Sequence, residues 1–97
     1  MKKFIRGAFE LETGVDDLVA YENKHERAIK EIIEFADDFG IAINMGTTED
    51  NEYLIEYKIV ATTMQMCKGL LSDLKDMLKA EWKKPVSVWQ GSGDILR

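Results

Sequence analysis

Apolar and polar residues alternate over the first dozen positions of the chain, and apolar residues then recur at helical spacing. The alternation predicts a β-strand over residues 3–12, because successive side chains of a strand point to opposite faces. A glycine on its inward face indicates either a close approach of another segment or a bulge. We expect the inward positions to be Ile5, Gly7, Phe9 and Leu11.

The helical spacing covers residues 18–39. Thr13, with Asp16 three positions later, resembles a capping box and predicts that a helix begins there. A rival start at Asn23 is less favoured, because the apolar stripe keeps its phase through that point. We therefore expect one long helix, with an interruption near Tyr21 as the alternative.

Glycine at position 40 predicts the end of this helix, since glycine readily adopts the left-handed cap conformation. Two strands are predicted next, over residues 41–45 and 52–62, joined as a hairpin by a polar turn. A last strand is predicted over residues 86–90. We expect residues 91–93 to loosen the chain after this strand, with 91–97 as a flexible tail, and we interpret residues 94–97 either as a frayed tail or as a return to the sheet edge.

A second helix is predicted between the hairpin and the last strand. Thr62 with Gln65 forms another capping box at its start, and Pro85 ends it. One outer row of this helix is basic, which is usual for a solvated face and occasional for a surface that binds an acidic partner. Its members are Lys68, Lys75, Lys79 and Lys83.

The order of these elements resembles the ferredoxin-like fold, an α+β βαββαβ sandwich in which two helices cover one face of an antiparallel sheet. The resemblance spans nearly the whole chain, and we expect residues 1–97 to form a single domain. A fold of this kind hosts many unrelated functions, so the resemblance implies no activity.

Composition narrows the classes of partner. The net charge of −5 and the isoelectric point near 4.8 disfavour nucleic acid, because binding to phosphates depends on Lys and Arg. The apolar runs are far shorter than the roughly 20 residues of a membrane helix, and the first residues do not resemble a signal peptide. We expect a cytoplasmic protein that binds neither membranes nor nucleic acid.

Candidate catalytic chemistry is sparse. His25 is the only histidine, but it lies on the apolar stripe without a partner at motif spacing, so we interpret it as a packing residue rather than a general base. Cys67 is the only cysteine and is expected to be buried. One histidine and one cysteine make a zinc site improbable. We expect no cofactor and no bound metal.

The positions of the charged residues say more about function than any motif does. In a βαββαβ sandwich, the end of the first strand, the start of the first helix and the hairpin turn lie at one pole, where carboxylates would gather. We predict that a basic partner binds there, with solvation or a divalent metal as the alternatives. The predicted binding residues are Glu10, Glu12, Asp16, Asp17, Glu49 and Asp50.

The outer face of the predicted sheet is partly apolar. Because the helices cover only the other face, such a patch indicates sheet-to-sheet dimerisation or a partner. The predicted dimer-interface residues are Phe4, Leu54, Val60 and Trp89.

These observations favour a non-enzymatic protein-binding module, a regulator or inhibitor of the size and charge found among small accessory and phage-encoded proteins. It would dock onto a basic partner or act as a homodimer. The alternative is a regulatory domain that binds a small molecule at a dimer interface, as ACT-like domains of this architecture do. A metal-dependent hydrolase that uses the polar carboxylates is a third, more remote class.

Overall fold

The structure is a computed structural model, and it describes residues 2–12, 18–47, 53–82 and 84–95. These residues form four strands and three helices. They are β1 Lys2–Leu11, α1 Leu18–Lys24, α2 Glu26–Phe39, β2 Ala42–Thr47, β3 Tyr53–Ala61, α3 Met64–Glu81 and β4 Val86–Ile95.

The strands form one antiparallel sheet in the order β2-β3-β1-β4. Helix α3 packs on β1 and β3, and α2 packs on β2 and on α3, so the helices lie on one face of the sheet. This arrangement confirms the predicted α+β ferredoxin-like sandwich. The opposite face of the sheet carries no helix among the described residues.

The core lies between the sheet and the helices. Strands β1 and β3 contribute alternate residues, because side chains two positions apart share a face, and α3 adds residues at helical spacing. The predicted inward face of β1 is therefore confirmed. The fully buried large side chains include Ile5, Leu11, Ile55, Ile59, Leu74 and Leu78.

The prediction of one long helix over residues 18–39 is wrong. The helix breaks at His25, whose φ of −111° and ψ of 16° depart from helical values. Backbone hydrogen bonds continue on both sides, from His25 N to Tyr21 O and from Ile29 N to His25 O. The apolar stripe consequently keeps its phase through the break. The predicted cap at Thr13 lies outside the described residues.

Helix ends follow local chemistry. Gly40 has the expected left-handed conformation, with φ of 66°, and Ile41 N donates to Ala36 O at 2.7 Å, as in a Schellman motif. At the start of α3 the predicted cap is one residue off. Thr63, not Thr62, is the N-cap, and its hydroxyl accepts from Met66 N at 3.2 Å.

Strand β4 is longer than predicted. It does not end at residue 90 but continues to Ile95, and Gly93 pairs with Phe4 in β1. Residues 91–95 therefore return to the sheet edge and are not a frayed tail. A Cβ at position 93 would approach the Phe4 ring to 3.3 Å, so glycine leaves room for that ring. The hairpin strands also shift slightly from the predicted bounds, to Ala42–Thr47 and Tyr53–Ala61.

Gly7 marks a close approach rather than a bulge of its own strand. A Cβ at this position would lie 2.6 Å from the Trp89 carbonyl oxygen and 2.6 Å from the Tyr57 hydroxyl. The register shift is in the pairing of β1 with β4, where Ala8 pairs with Trp89 and Phe9 pairs with Ser87. Val88 is the extra residue of this β-bulge.

Candidate functional site

The uncovered face of the sheet is the first candidate site. The register arranges its residues in rows that cross β3 and β1. Arg6 lies opposite Lys58, and the row on one side of this basic pair joins Phe4 to Val60. The rows on the other side join Ala8 to Glu56 and then Glu10 to Leu54. All four predicted interface residues, Phe4, Leu54, Val60 and Trp89, thus lie on the same face.

Trp89 is the most exposed aromatic side chain of this face, with 43% of its surface accessible. The Arg6 guanidinium carbon lies 5.8 Å from the centroid of its ring. Similarly, Lys58 Nζ lies 5.7 Å from the Phe4 ring centroid. Both distances are within the range of cation–π contacts. The two cations therefore border the apolar surface without removing it from solvent.

Ala8 is fully buried although it belongs to the outer face. It is a small residue placed in register between Glu56 and Trp89, which are both larger. A shallow depression of about 290 Å³ lies beside it. Its lining includes Arg6, Asn44, Glu56, Lys58 and Trp89. This face therefore combines an apolar centre with charged groups of both signs.

A second candidate is the buried histidine where α1 meets α2. His25 is 6% exposed, and its Nδ1–H donates to Glu81 Oε1 at 2.7 Å. The imidazole is 4.7 Å from the Tyr21 ring centroid and 4.9 Å from that of Trp82. Tyr21 stacks on Tyr53 at 4.0 Å. The histidine is thus the packing residue that the sequence predicts, with an additional carboxylate partner from α3.

Three polar atoms of this cluster, Tyr21 Oη, His25 Nε2 and Trp82 Nε1, are buried, and none makes a hydrogen bond of ordinary geometry among the described residues. Burial raises the pKa of Tyr21, and the neighbouring Tyr53 raises it further. Trp82 is nevertheless close enough to Tyr21 to act against the rise in its pKa. Burial also raises the pKa of Tyr53. The cluster is closely packed, and its polar atoms are of the kind that a buried water molecule satisfies.

The acidic pole is the end of the sheet where the six predicted partner-binding carboxylates would gather. Its described members are Glu10 and Glu12, of which Glu12 is exposed. Leu11 pairs with Tyr53, which also pairs with Thr47 at the mouth of the hairpin. The described residues that flank the two turns are thus at one end of the sheet. The other four predicted carboxylates lie outside the described residues, and they are Asp16, Asp17, Glu49 and Asp50. Within residues 2–12, 18–47, 53–82 and 84–95, no group of three His, Cys, Asp or Glu residues could hold a metal ion.

A third candidate is a groove between α3 and β4 with a volume of about 280 Å³. The helices pack over the other three strands, so the inner face of β4 stays open along Gln90 and Ser92. The residues lining the groove are Ile5, Met64, Lys68, Leu71, Ser72, Lys75, Gln90 and Ser92.

Sequence reasoning did not predict this groove. The basic row of α3 was the available signal, since Lys68, Ser72 and Lys75 recur at helical spacing on one side of the helix. The residues of β4 that line the other side of the groove could not be recognised from the sequence, because Gly91-Ser92-Gly93 is more typical of a loop than of a strand. Similarly, nothing local connects His25 with Glu81, which is 56 positions away.

No protein-family model and no curated protein matches the chain. Solved structures do. The de novo designed protein Foldit4 is 14% identical, covers 99% of this chain and 100% of its own, and has a TM-score of 0.64. A structural-genomics protein, YJCS, is 15% identical with the same coverage and a TM-score of 0.62. A “putative antibiotic biosynthesis monooxygenase” from Chloroflexus aurantiacus J-10-fl is 12% identical, covers 100% and 95%, and has a TM-score of 0.60.

At these identities the likeness concerns the fold alone. The fold is shared by a designed protein and natural ones, so the function must be argued from the sites. No helix among the described residues has the length and apolar character needed to cross a membrane. The class that fold and site define is a ferredoxin-like domain with one uncovered, partly apolar sheet face.

Proposed function

We propose that this protein is a non-enzymatic protein-binding module that acts by surface docking, with the uncovered sheet face as its principal docking surface. The observation that carries the proposal is the exposure of Trp89 on the same sheet face as Phe4, Leu54 and Val60, a face that carries no helix in the described part of the chain. Sheets that are covered on one side only are stable when the other side is polar, whereas apolar patches on that side mark interfaces.

A second copy of the chain is the occupant that fits this face. Along β1 and β3, the basic pair Arg6 and Lys58 is followed by the row that contains Glu56. Consider a two-fold axis that lies between the two copies and crosses the strands between these rows. Such an axis places Lys58 of each copy over Glu56 of the other, and Val60 over Leu54. The β3 half of the face is therefore complementary to itself, as a two-fold interface requires, while Arg6 and Phe4 of β1 fall over Ala8 and Glu10 of the other copy.

The acidic pole supports a further docking partner with a basic surface. Glu10 lies near the end of β1 and Glu12 follows that strand, at the end of the sheet where Tyr53 pairs with both Leu11 and Thr47. Replacing Asp16, Asp17, Glu49 and Asp50 with Asn or Gln would remove four charges without altering the sheet. Loss of partner capture by this variant is the expected result, and unchanged capture would exclude the acidic pole as the docking site.

Sedimentation equilibrium tests the proposed dimer. We expect the wild-type mass to approach twice the 11.1 kDa of the chain as concentration rises. Trp89→Lys should return the mass to that of one chain, because it places an extra charge in an apolar interface. Ile33→Lys is a matched control, since Ile33 in α2 is an apolar residue of similar exposure on the helical side.

Two results would overturn the proposed dimer. The first is a wild-type protein that has the mass of one chain at every concentration. The second is a dimer that Ile33→Lys dissociates and Trp89→Lys does not. Circular dichroism on both variants shows whether either substitution unfolds the chain.

A small-molecule-binding regulatory domain is the second candidate function. The observation that favours it is the groove between α3 and β4, which has both an apolar floor and polar groups. The name of the Chloroflexus protein suggests an oxidative enzyme as another possibility for this fold, but no residue of this chain is matched to a catalytic role by that likeness. Dimerisation through the outer face leaves the groove accessible, so both functions are compatible.

A further inference from the structure

We propose that the groove between α3 and β4 binds a small organic anion with an apolar body, such as a medium-chain or aromatic carboxylate. The inference deepens the second candidate function by naming the chemical class of the ligand. It rests on three features of the groove: its floor, its charge and its size.

The floor of the groove is apolar. Ile5 is 1% exposed and Leu71 is 5% exposed, and both belong to the core that fills the space under α3. Met64 lies at the start of the same helix and is only partly buried. Because Ile5 and Leu71 have little exposed surface, the apolar area that a hydrocarbon or aromatic group would cover comes mainly from Met64 and from the aliphatic stems of Lys68 and Lys75, and burial of such area favours binding.

The rim of the groove is cationic. Lys68 and Lys75 are two turns apart on α3, and no carboxylate is among the described residues that line the groove. Lys75 Nζ lies 6.0 Å from the Phe9 ring centroid, so its ammonium group is held near the apolar floor. This local excess of positive charge contrasts with the net charge of −5. An anionic head group is the ligand that it complements.

Uncharged donors complete the rim. Ser72 lies between the two lysines on α3, and Ser92 and Gln90 project from the open inner face of β4. Hydroxyl and amide groups can donate to carboxylate oxygens that the lysines do not reach. The volume of about 280 Å³ is near the lower limit of roughly 300 Å³ for small-molecule pockets, which indicates a small ligand.

Octanoate is a suitable probe, because it combines a carboxylate with a short hydrocarbon chain. We expect its titration into ¹⁵N-labelled protein to shift the amide resonances of residues 64–75 and 87–93 saturably. Octylammonium has the same hydrocarbon chain with the opposite charge. It should bind about tenfold or more weakly, because the head-group contacts are charge-assisted.

The double variant Lys68→Gln and Lys75→Gln should weaken octanoate binding about tenfold or more, for the same reason. Lys24→Gln with Lys30→Gln is the matched control. It removes two positive charges from exposed positions of α1 and α2 and leaves the groove intact. Octanoate affinity should be nearly unchanged in this control, and the amide spectrum of each variant shows whether it is folded.

Three outcomes would overturn the proposal: no saturable shift with octanoate, equal affinity for octanoate and octylammonium, or equal affinities in the two double variants. Shifts centred on Phe4 and Trp89 would also overturn it, since they would place the ligand on the outer face. The mass of the protein is measured separately. A failure of the groove proposal is therefore distinguishable from a failure of the proposed dimer.

Discussion

The two tryptophans of the chain lie on opposite sides of its sheet. Trp82 lies on the helical side, 4% exposed, with the Tyr21 ring stacked on it and the His25 ring tilted against it. Trp89 lies on the outer side, 43% exposed, and the Arg6 guanidinium carbon lies 5.8 Å from its ring centroid. The same residue type thus contributes to folding on one side and remains available for association on the other. The side of the sheet decides the role.

Adjacent residues of β3 allow the strongest test of this difference. Ile55 is fully buried on the inner side, whereas Leu54 is only partly buried on the outer side. Ile55→Ala should lower the free energy of unfolding by about 2–5 kcal/mol, because it leaves a cavity. Leu54→Ala should cost less than about 1 kcal/mol in the single chain, since a partly exposed side chain loses little burial. Urea denaturation at low protein concentration measures both, and equal losses would contradict the assigned faces.

Alkaline pH should destabilise the inner side of the sheet, where the tyrosines are buried. All three tyrosines of the chain are buried there, and burial raises the pKa of Tyr21, Tyr53 and Tyr57 above the ordinary value of about 10. Each raised pKa stabilises the fold fully below pH 10, and that contribution is lost as pH rises through the higher folded value. The loss is at most about 1.4 kcal/mol per pH unit for each tyrosine.

Absorbance at 295 nm and far-ultraviolet circular dichroism measure this effect together. We expect phenolate formation and unfolding in one coincident transition above pH 10. A tyrosine that ionises near pH 10 while the circular dichroism is still native would show that it is accessible, contrary to the structure.

Glycines on the two faces should respond differently to a methyl group. Gly7→Ala places a Cβ 2.6 Å from a backbone oxygen of β4, so the strands must move apart. We expect a loss of about 1–3 kcal/mol, as for other overpacked sites. Gly91 has open space where its Cβ would lie, and Gly91→Ala should be nearly neutral. Thermal unfolding of the two variants compares them, and similar melting temperatures would argue against the close approach.

The contact between His25 and Glu81 should have the smallest effect. A double-mutant cycle on His25 and Glu81, with Gln at each position, should give a coupling energy of about 1 kcal/mol, since Glu81 remains 35% exposed. The control cycle on Arg27 and Glu31, which are exposed and 3.6 Å apart, should give about 0–0.5 kcal/mol. A coupling energy at the histidine no larger than in the control would mean that the contact adds nothing to stability.

Much of the sandwich could be predicted from the sequence, because alternation in β1 and β3 directly reports which side chains are buried. The sequence allowed an interruption near Tyr21 as an alternative but did not locate the break at His25, since both halves of the helix keep their apolar residues on one stripe. The sequence also did not indicate the full length of β4. Gly93 is unusual in a strand, and it is explained only by the Phe4 ring on the neighbouring strand.

The candidate sites were predictable to a lesser degree. The sequence placed Phe4, Leu54, Val60 and Trp89 on one face, and the register confirms that placement. It does not specify what covers the face, because the occupant is outside the chain. The groove was missed since it depends on how far α3 extends across the sheet, and sequence periodicity does not give this position.

Acrylamide quenching of tryptophan fluorescence across a dilution series shows whether two copies of the chain associate through the uncovered sheet face. Trp82 is buried at every concentration, so the quenchable signal reports on Trp89. If the copies do associate in this way, we expect strong quenching of Trp89 in dilute solution and weaker quenching over the concentration range in which the mass doubles. Doubling of the mass with no change in quenching would show that the copies meet elsewhere and would contradict the assignment of the uncovered sheet face.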